Sequence, residues 1–213
     1  MILLLCIYYY YRINRANSSK QAKRTVVQHF DFKARVDLKI RKEYPSLAAK
    51  TTYLYVGYYA NNLANFPAVK LFSTAATFGS YIWMLPVSRR AVIPSAGDCS
   101  INVGVFTKAI LEQPEKTHAK YVAVVVDTPT HDEMLQYWSE ATGKRAAFLQ
   151  VNGDDWCKAF GGVGEELYLN LKAFEENPRW AFDNDPLLGK DLGIEKDLVG
   201  TKSCLESLKD RLL

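Results

Sequence analysis

The chain has 213 residues, of which 48% are hydrophobic and 23% are charged. This composition is that of a globular protein and excludes a disordered or collagen-like chain. The four cysteines are widely spaced and form no Cys-x-x-Cys pair, which argues against a disulfide scaffold or a structural zinc site and favours a reducing compartment (Cys6, Cys99, Cys157 and Cys204). No apolar run reaches the roughly 18 residues of a membrane helix, so we expect a soluble, intracellular protein.

The net charge of +4 is unevenly distributed. Between residues 12 and 50, Lys and Arg outnumber Asp and Glu by eight, whereas the rest of the chain has an acidic excess. Such an asymmetry can mark a contact with nucleic acid or anionic lipid. Because this segment lacks repeated basic and aromatic spacing, a solvated, lysine-rich loop and helix is the better interpretation. We therefore expect neither nucleic acid nor a membrane as a partner.

The first eleven residues are apolar and tyrosine-rich, and the first positive charge, Arg12, follows them. A secretory signal would carry positive charge before the apolar run and small residues after it, so the pattern favours a strand buried on both faces. A parallel strand of this kind needs neighbours from earlier β–α units, and none precedes it. The working hypothesis is the downstream part of a larger α/β unit, with an atypical signal sequence as the alternative.

Alternating strands and helices are predicted over the next part of the chain. Four short strands are predicted at residues 52–56, 81–85, 91–94 and 121–126, of which 52–56 is expected to be buried. Residues 62–76 are predicted to be helical or irregular. A helix capped by Asp98 or Ser100 is predicted to end before Pro114, with its apolar face formed by Val103, Phe106 and Ile110. This order of elements argues for an α/β fold.

A second helix opens with the capping box Thr130-x-x-Glu133 and ends at Gly143. Its predicted inward side chains are Met134, Leu135, Trp138 and Ala141. The last third is predicted to be mostly helical: a helix from Asp154 carrying Trp156 and Phe160, a break at residues 161–164, a second helix over 165–176, a turn at 183–186 and a final helix near 203–212. Leu167, Leu171 and Phe174 form the apolar side of the 165–176 helix.

Several local patterns suggest chemistry but have plainer explanations. The Gly161-Gly162-Val163-Gly164 run follows a helix rather than a strand, so it is a helix break and not a dinucleotide turn. Tyr168 and Lys172 have the Tyr-x-x-x-Lys spacing of short-chain dehydrogenases, but so close to the C-terminus the match is interpreted as coincidence. Asp154 and Asp155 are expected to cap a helix rather than bind two metals. His118 and His131 are expected to be exposed, without metal or nucleophile partners.

One stretch changes the functional argument. Residues 29–33, His-Phe-Asp-Phe-Lys, resemble the His-Phe-Asp-x-Lys signature of the NmrA-like family, atypical relatives of the short-chain dehydrogenases with an NAD(P)-binding Rossmann fold. Residues 57–63, Gly-Tyr-Tyr-Ala-Asn-Asn-Leu, are similar to the loop of that family. Residues 98–111, with Asn-Val-Gly at 102–104, and 130–144 resemble two of its later helices. The match runs over about residues 17–212, and its specificity comes from the order and spacing of the motifs.

Periodicity and resemblance disagree over residues 30–41. Apolar residues from Phe30 to Ile40 alternate with polar ones, a period of two that is typical of a half-buried strand. The family resemblance implies a helix here, and a Rossmann crossover helix can be buried on both sides. We predict the helix and keep the strand as the alternative.

The resemblance also implies a site. Lys33 is expected to point at the nicotinamide ribose, where a flexible ammonium binds the hydroxyls and lowers the barrier to proton transfer. The loop residues Tyr59, Ala60, Asn61 and Asn62 are expected to contact the cofactor near the nicotinamide. We therefore predict Lys33 as the catalytic and cofactor-binding lysine, these four residues as cofactor-binding, NADP as the cofactor with NAD as the alternative, and no metal.

The resemblance has a gap at the N-terminal end. Full-length members begin with a Gly-x-x-Gly-x-x-Gly turn, which this sequence lacks. We expect an incomplete, truncated Rossmann-like parallel sheet that keeps at most the nicotinamide half of the pocket and binds NAD(P) weakly. The expected organisation is one NmrA-like domain, with residues 1–95 as the remaining Rossmann part and 96–213 as a mostly helical C-terminal α/β part that contains the substrate or cap region.

Two functions of different classes follow from the resemblance. The first is an NAD(P)-dependent oxidoreductase that transfers hydride to a small substrate such as a secondary metabolite. The second is a non-catalytic redox sensor or transcriptional co-regulator with a regulatory protein as partner; an inactive fragment is a further alternative. The lack of an obvious tyrosine acid beside Lys33 favours the sensor, whereas aromatic residues near the pocket favour a substrate site (Tyr58, Tyr59, Phe66, Tyr81 and Trp83). The expected location is the cytoplasm, with the nucleus as the alternative.

Overall fold

Two small parallel sheets organise the chain. The structure, a computed structural model, describes residues 2–5, 25–179, 182 and 185–213. Within these residues the main sheet has the strand order β1-β2-β4, and a second sheet pairs β3 with β5. The strands are β1 (Ile2–Leu5), β2 (Thr51–Val56), β3 (Tyr81–Leu85), β4 (Tyr121–Val124) and β5 (Ala146–Gln150). All pairings between these strands are parallel, as an α/β fold requires.

Helices connect and cover these strands. They are α1 (Gln28–Glu43), α2 (Pro45–Ala48), α3 (Asn62–Asn65), α4 (Cys99–Glu112), α5 (Pro114–Thr117), α6 (His131–Thr142), α7 (Gly153–Glu176), α8 (Gly189–Leu192) and α9 (Thr201–Ser207). Short 3-10 turns lie at Pro67–Val69, Ala75–Thr77, Glu195–Asp197 and Lys209–Arg211. None of the helices in the described ranges combines the length and hydropathy that a membrane crossing requires.

Strand β2 is buried on both faces, which explains its unbroken apolar run. Tyr53 and Tyr55 belong to the core that also contains Phe30 of α1. Leu54 and Val56 belong to a second core, on the opposite face, with Phe106 of α4 and other apolar residues. Because side chains alternate across a strand, a single six-residue strand supports both layers.

The helix predicted for residues 30–41 is confirmed, because α1 spans Gln28–Glu43. Its buried residues, Phe30, Ala34 and Asp37, are spaced four and three apart, as one face of a helix requires. Phe32 and Val36 lie on the other side and are 57% and 48% exposed. The alternation in the sequence therefore reflects apolar residues left on the surface and not a strand.

One predicted strand is wrong, and one observed strand was not predicted. Residues 91–94 form no strand; Val92 makes only an isolated bridge to Thr130, while Ile93 donates its backbone N–H to Pro129. Pro94 has no N–H to donate, which prevents a continuous ladder here. Strand β5 was not predicted from the sequence, although it pairs with β3 over five residues.

The capping predictions for α4 and α6 are confirmed. Asp98 caps α4 by accepting the backbone N–H of Ser100, and Thr130 and Glu133 form the predicted capping box of α6. The break in α7 is confirmed at Gly161, whose φ of 61° and ψ of −148° are non-helical. The predicted final helix is shorter than expected, since α9 ends at Ser207. Of the predicted N-terminal strand, the structure describes only residues 2–5, which form β1. The other residues of that strand lie outside the described ranges, and so do residues 183 and 184 of the predicted turn.

Candidate functional site

The carboxyl ends of β1, β2 and β4 meet at one edge of the main sheet, where open α/β sheets bind their ligands. Helix α1 runs back from this edge to the start of β2, since α2 and the hydrogen bond from Thr51 Oγ1 to the Leu47 carbonyl join its C-terminal end to that strand. A helix of 16 residues is about 24 Å long, enough to cross the sheet. We therefore expect the first turns of α1, with Lys33, towards the carboxyl edge, which is also where the loop after β2 begins.

That loop is held against the segment leading into α4. Gly57 comes so close to this segment that an added Cβ would lie 2.6 Å from the Pro94 carbonyl oxygen. Tyr58 donates its backbone N–H to Pro94 at 2.8 Å, and its carbonyl accepts from Ala96 at 2.8 Å. Backbone contacts consequently hold the start of the predicted cofactor loop against this segment.

Asn61 holds the loop on the N-terminus of α4. Its amide nitrogen donates to Asp98 Oδ1 at 3.1 Å, and its amide oxygen accepts the backbone N–H of Cys99 at 3.0 Å. Burial alone would raise the pKa of Asp98, but hydrogen bonds from Ser100 and Asn61 outweigh it and keep that pKa below its ordinary value. Asn61 is 8% exposed, so its side chain serves the architecture of the site.

The other predicted loop residues differ in how open they are. Ala60 is fully buried, and its backbone N–H donates to Gly97 at 3.3 Å. Tyr59 is half-buried, and burial, together with neighbouring Cys99, raises the pKa of its hydroxyl. Asn62 is partly exposed and hydrogen-bonds the hydroxyl of Tyr58, whose pKa is raised by complete burial. Of the predicted site residues, Lys33, Tyr59 and Asn62 are partly exposed, whereas Ala60 and Asn61 are buried.

Two cavities lie near these elements, and the lining of neither includes Lys33 or any of the four predicted loop residues. One, of about 340 Å³, lies between the start of α1 and the second half of α7. It includes His29, whose Nδ1 lies 2.8 Å from Glu166 Oε1. Burial lowers the pKa of His29, although Glu166 opposes this effect. The other cavity, of about 390 Å³, begins at α3, directly after the predicted cofactor loop.

The prediction that His131 is exposed is wrong. Its side chain is 1% exposed, and its Nδ1 lies 3.1 Å from the Ser88 carbonyl oxygen. Burial lowers its pKa to about 4. The N-terminus of α6 packs against the segment after β3, where the His131 N–H donates to Ala91, and this tertiary contact has no local signal in the sequence. His118, also expected to be exposed, is half-buried.

The remaining candidates have structural roles. Asn152, rather than Asp154, caps α7, and Asp155 pairs with Lys158 at 3.1 Å. Tyr168 packs against Gly153, where an added Cβ would lie 2.3 Å from its ring. Lys172 pairs with Glu175 at 2.5 Å. No group of three or more potential metal ligands occurs among the described residues.

The sequence and the fold were compared with known protein families and solved structures. Residues 8–194 match the model of the NmrA-like family. NmrA, a negative transcriptional regulator solved in complex with NADP, is similar with a TM-score of 0.56 and 18% identity, over 76% of this chain and 53% of that chain. A search of the curated proteins found no match.

Two other solved structures share the fold. A quinone oxidoreductase from Escherichia coli, described as NADPH-dependent, has a TM-score of 0.60 and 14% identity, over 85% of this chain and 62% of that chain. A nucleoside-diphosphate-sugar epimerase from Staphylococcus aureus has a TM-score of 0.64 and 14% identity, over 96% of this chain and 64% of that chain. The chain thus spans about half the length of the NmrA structure and under two thirds of the other two.

Proposed function

The chain belongs to the NmrA-like family, and from this premise we propose that it carries the nicotinamide end of an NAD(P) site and uses it for hydride transfer to a small substrate. The proposal is supported by the carboxyl edge of the main sheet, where the loop after β2 begins. Asp37, in the second half of α1, contacts Tyr121 at the start of β4, so we expect the first turns of α1 to lie towards that carboxyl edge. Neighbours of similar fold were solved with NADP, NAD or NADPH, which supports the choice of cofactor.

The donor set at this edge suits the nicotinamide half of a dinucleotide. The ammonium of Lys33 can donate to ribose hydroxyls, and the side chains of Tyr59 and Asn62 supply a hydroxyl and an amide for polar groups of the cofactor. When bound, a reduced nicotinamide supplies a hydride to an electrophilic carbon, and a proton completes the reduced product. In this proposal Lys33 orients the ribose, while Asn61, through Asp98, keeps the loop in place.

The sequence contains no glycine-rich turn after β1 for the phosphates. We therefore expect the pyrophosphate and adenosine to add little affinity in this chain. Reduced nicotinamide mononucleotide should bind within roughly threefold of NADPH, a difference under about 1 kcal/mol. Adenosine 2′,5′-bisphosphate should not compete with it.

Saturation-transfer NMR with reduced nicotinamide mononucleotide tests the site directly. Lys33→Ala should weaken binding at least about fivefold, the effect of one hydrogen bond to a charged group. Lys39→Ala is the matched control, because Lys39 lies on the same helix with 63% of its side chain exposed. Absence of binding, or equal losses in both variants, would contradict the proposed site.

A non-catalytic redox sensor is the second candidate, and one observation favours it. Burial raises the pKa of both Tyr58 and Tyr59, so neither hydroxyl is tuned towards neutral pH as an efficient general acid should be. The sensor predicts binding of the reduced mononucleotide without its oxidation by any carbonyl substrate. Oxidation that depends on both protein and substrate would favour the oxidoreductase.

A further inference from the structure

The cavity beside α3 has the size and walls of a small-molecule site. Its volume of about 390 Å³ lies in the range of roughly 300–1,000 Å³ that ligand pockets occupy. Three separate parts of the chain form it (residues 64–72, Met84 and Phe160), so it is a product of tertiary packing. The lining residues are Ala64, Asn65, Pro67, Ala68, Lys70, Leu71, Phe72, Met84 and Phe160.

Most of this lining is apolar, with aromatic and thioether groups. Phe72 and Phe160 contribute rings, and Met84 contributes a thioether that adapts to irregular ligand shapes. Phe72 is 41% exposed, so a large apolar side chain at the cavity wall is left open to solvent. Walls of this kind favour a flat, ring-bearing ligand over an extended polar one.

The polar lining groups select against a charged ligand. Lys70 is the one ionisable residue among those lining the cavity, and its ammonium already donates to the backbone oxygens of Arg211 and Leu213 at 3.0 and 3.2 Å. No carboxylate lines the cavity to pair with a cation. A charged ligand would therefore lose solvation and gain at most the one remaining N–H of that ammonium, since two of its three donors are already used.

Asn65 provides a donor for an uncharged acceptor. Its amide oxygen accepts from Arg211 at 2.6 Å, which leaves the amide nitrogen as its donor. Asn65 is exposed, and its amide nitrogen makes no hydrogen bond to protein within the described ranges, so it is open to a ligand or to solvent. A carbonyl oxygen is the acceptor that this N–H group fits.

The cavity also adjoins the proposed nicotinamide site. Asn62 is the first residue of α3 and belongs to the predicted cofactor loop, whereas Ala64 and Asn65 line the cavity. The rise from Asn62 to Asn65 is about 4.5 Å along the helix. We propose that this cavity binds an uncharged, ring-bearing carbonyl compound, and that this compound is the substrate of the hydride transfer; the second half of this inference rests on the proposed function.

Three matched probes test the ligand class in the absence of any cofactor. These are 2-acetylnaphthalene, 2-ethylnaphthalene, which lacks the carbonyl, and 2-naphthoate, which is charged. Saturation-transfer NMR should show the ketone binding at least about fivefold more tightly than the hydrocarbon, because one hydrogen bond is lost. The carboxylate should bind at least about tenfold more weakly than the ketone. Tighter binding of 2-naphthoate would overturn the proposed ligand class.

Substitutions locate the binding. Ala68→Phe should fill the cavity and weaken the ketone at least about tenfold. Phe72→Ala, at an exposed wall that tolerates the change, should weaken it at least about threefold. Phe78→Ala is the control, because Phe78 is 87% exposed and does not line the cavity. If Phe72→Ala binds the ketone as tightly as the wild type, or if Phe78→Ala loses as much affinity, the ketone does not bind in this cavity. This test remains valid even if Ala68→Phe fails to fold.

Asn65→Ala tests the donor. It should abolish the difference in affinity between 2-acetylnaphthalene and 2-ethylnaphthalene while leaving the hydrocarbon unaffected. Persistence of that difference would remove Asn65 from the proposed role.

A ternary sample separates this inference from the proposed function. With 2-acetylnaphthalene and reduced nicotinamide mononucleotide both bound, NOEs between the two ligands should connect the acetyl methyl to the nicotinamide ring. If the mononucleotide fails to bind, the proposed function fails while ketone binding still establishes the cavity as a ligand site. If both bind without interligand NOEs, the assignment of the ketone as substrate is wrong.

Discussion

Tyr121 on β4 donates its hydroxyl proton to the buried carboxylate of Asp37 on α1 across 2.5 Å. The same carboxylate accepts from Arg41 Nε at 2.8 Å, and the Arg41 guanidinium lies 4.8 Å from the centre of the Tyr121 ring. Lys33 precedes Asp37 by one helical turn, so the two side chains lie on the same face of α1. We therefore expect this contact to fix the orientation of α1 and, with it, of the proposed ribose-binding lysine.

Tyr121→Phe should lower the stability of the fold. Loss of the hydroxyl leaves a buried carboxylate short of one donor, and we expect the free energy of unfolding to fall by about 1–3 kcal/mol. Urea unfolding measures the change. Asp155→Asn is the control, because its carboxylate is 71% exposed in a pair with Lys158 and should cost less than about 1 kcal/mol. Equal midpoints for Tyr121→Phe and the wild type would show that the contact does not stabilise the fold.

Asp98→Asn should reduce the dependence of the free energy of unfolding on pH in the acidic range. The pKa of Asp98 is lower in the folded protein than in the unfolded chain, so its contribution is complete above about pH 4 and is lost as pH falls through the folded value. At pH 7 we expect the variant to be less stable by about 1 kcal/mol, because an N-cap acceptor is weakened. Below pH 4 the difference from wild type should shrink. Urea unfolding from pH 7 to pH 3 measures it, and a constant difference would contradict the assigned cause.

Much of this fold could be predicted because its signals are local. The capping box of Thr130 and Glu133, the cap at Asp98 and the break at Gly161 each depend on residues within one helical turn. The run in β2 is apolar because the strand is covered on both faces, which its composition alone indicates. These features were confirmed with boundaries shifted by a few residues at most.

Other features depend on long-range contacts and left no such signal. His131 looks like a polar residue in a first helical turn, yet it lies among the rings of Trp83 and Phe148 from the second sheet. Strand β5 is largely exposed and so has little apolar pattern. In the candidate site, the motif pointed to Lys33 and the loop, but the role of Asn61 as a clamp on Asp98 emerged only from the tertiary structure.

His131 should make the protein acid-sensitive. Its pKa is about 4 when folded and about 6.5 when unfolded, so the unfolded chain binds the proton more readily between these values. The stability from neutral, buried His131 is therefore complete above pH 6.5 and declines towards pH 4, by about 3 kcal/mol in total. His131→Gln should flatten this decline in urea unfolding. The control is His118→Gln, which leaves the buried imidazole of His131 in place and should therefore show the same decline as the wild type. If the decline in His131→Gln is as steep as in the wild type, another group causes the acid sensitivity.

Two adjacent glycines in α7 provide a matched test of the helix break. Gly161 has φ of 61° and ψ of −148°, a conformation that is essentially restricted to glycine, whereas Gly162 has no positive φ and open space around an added Cβ. Gly161→Ala should lower the free energy of unfolding by about 1–3 kcal/mol. Gly162→Ala should be neutral or stabilise by up to about 1 kcal/mol, because alanine restricts the unfolded chain and favours helix.

The same pair reports on the cavity beside α3, since Phe160, one of its walls, immediately precedes the break. If Gly161→Ala redirects the first half of α7, binding of 2-acetylnaphthalene should weaken along with stability, whereas Gly162→Ala should leave it unchanged. Thermal unfolding and saturation-transfer NMR on the two variants measure both effects. Equal stability of the two alanine variants would mean that the chain passes from one half of α7 to the other without the glycine-specific conformation, and that Phe160 is positioned by packing alone.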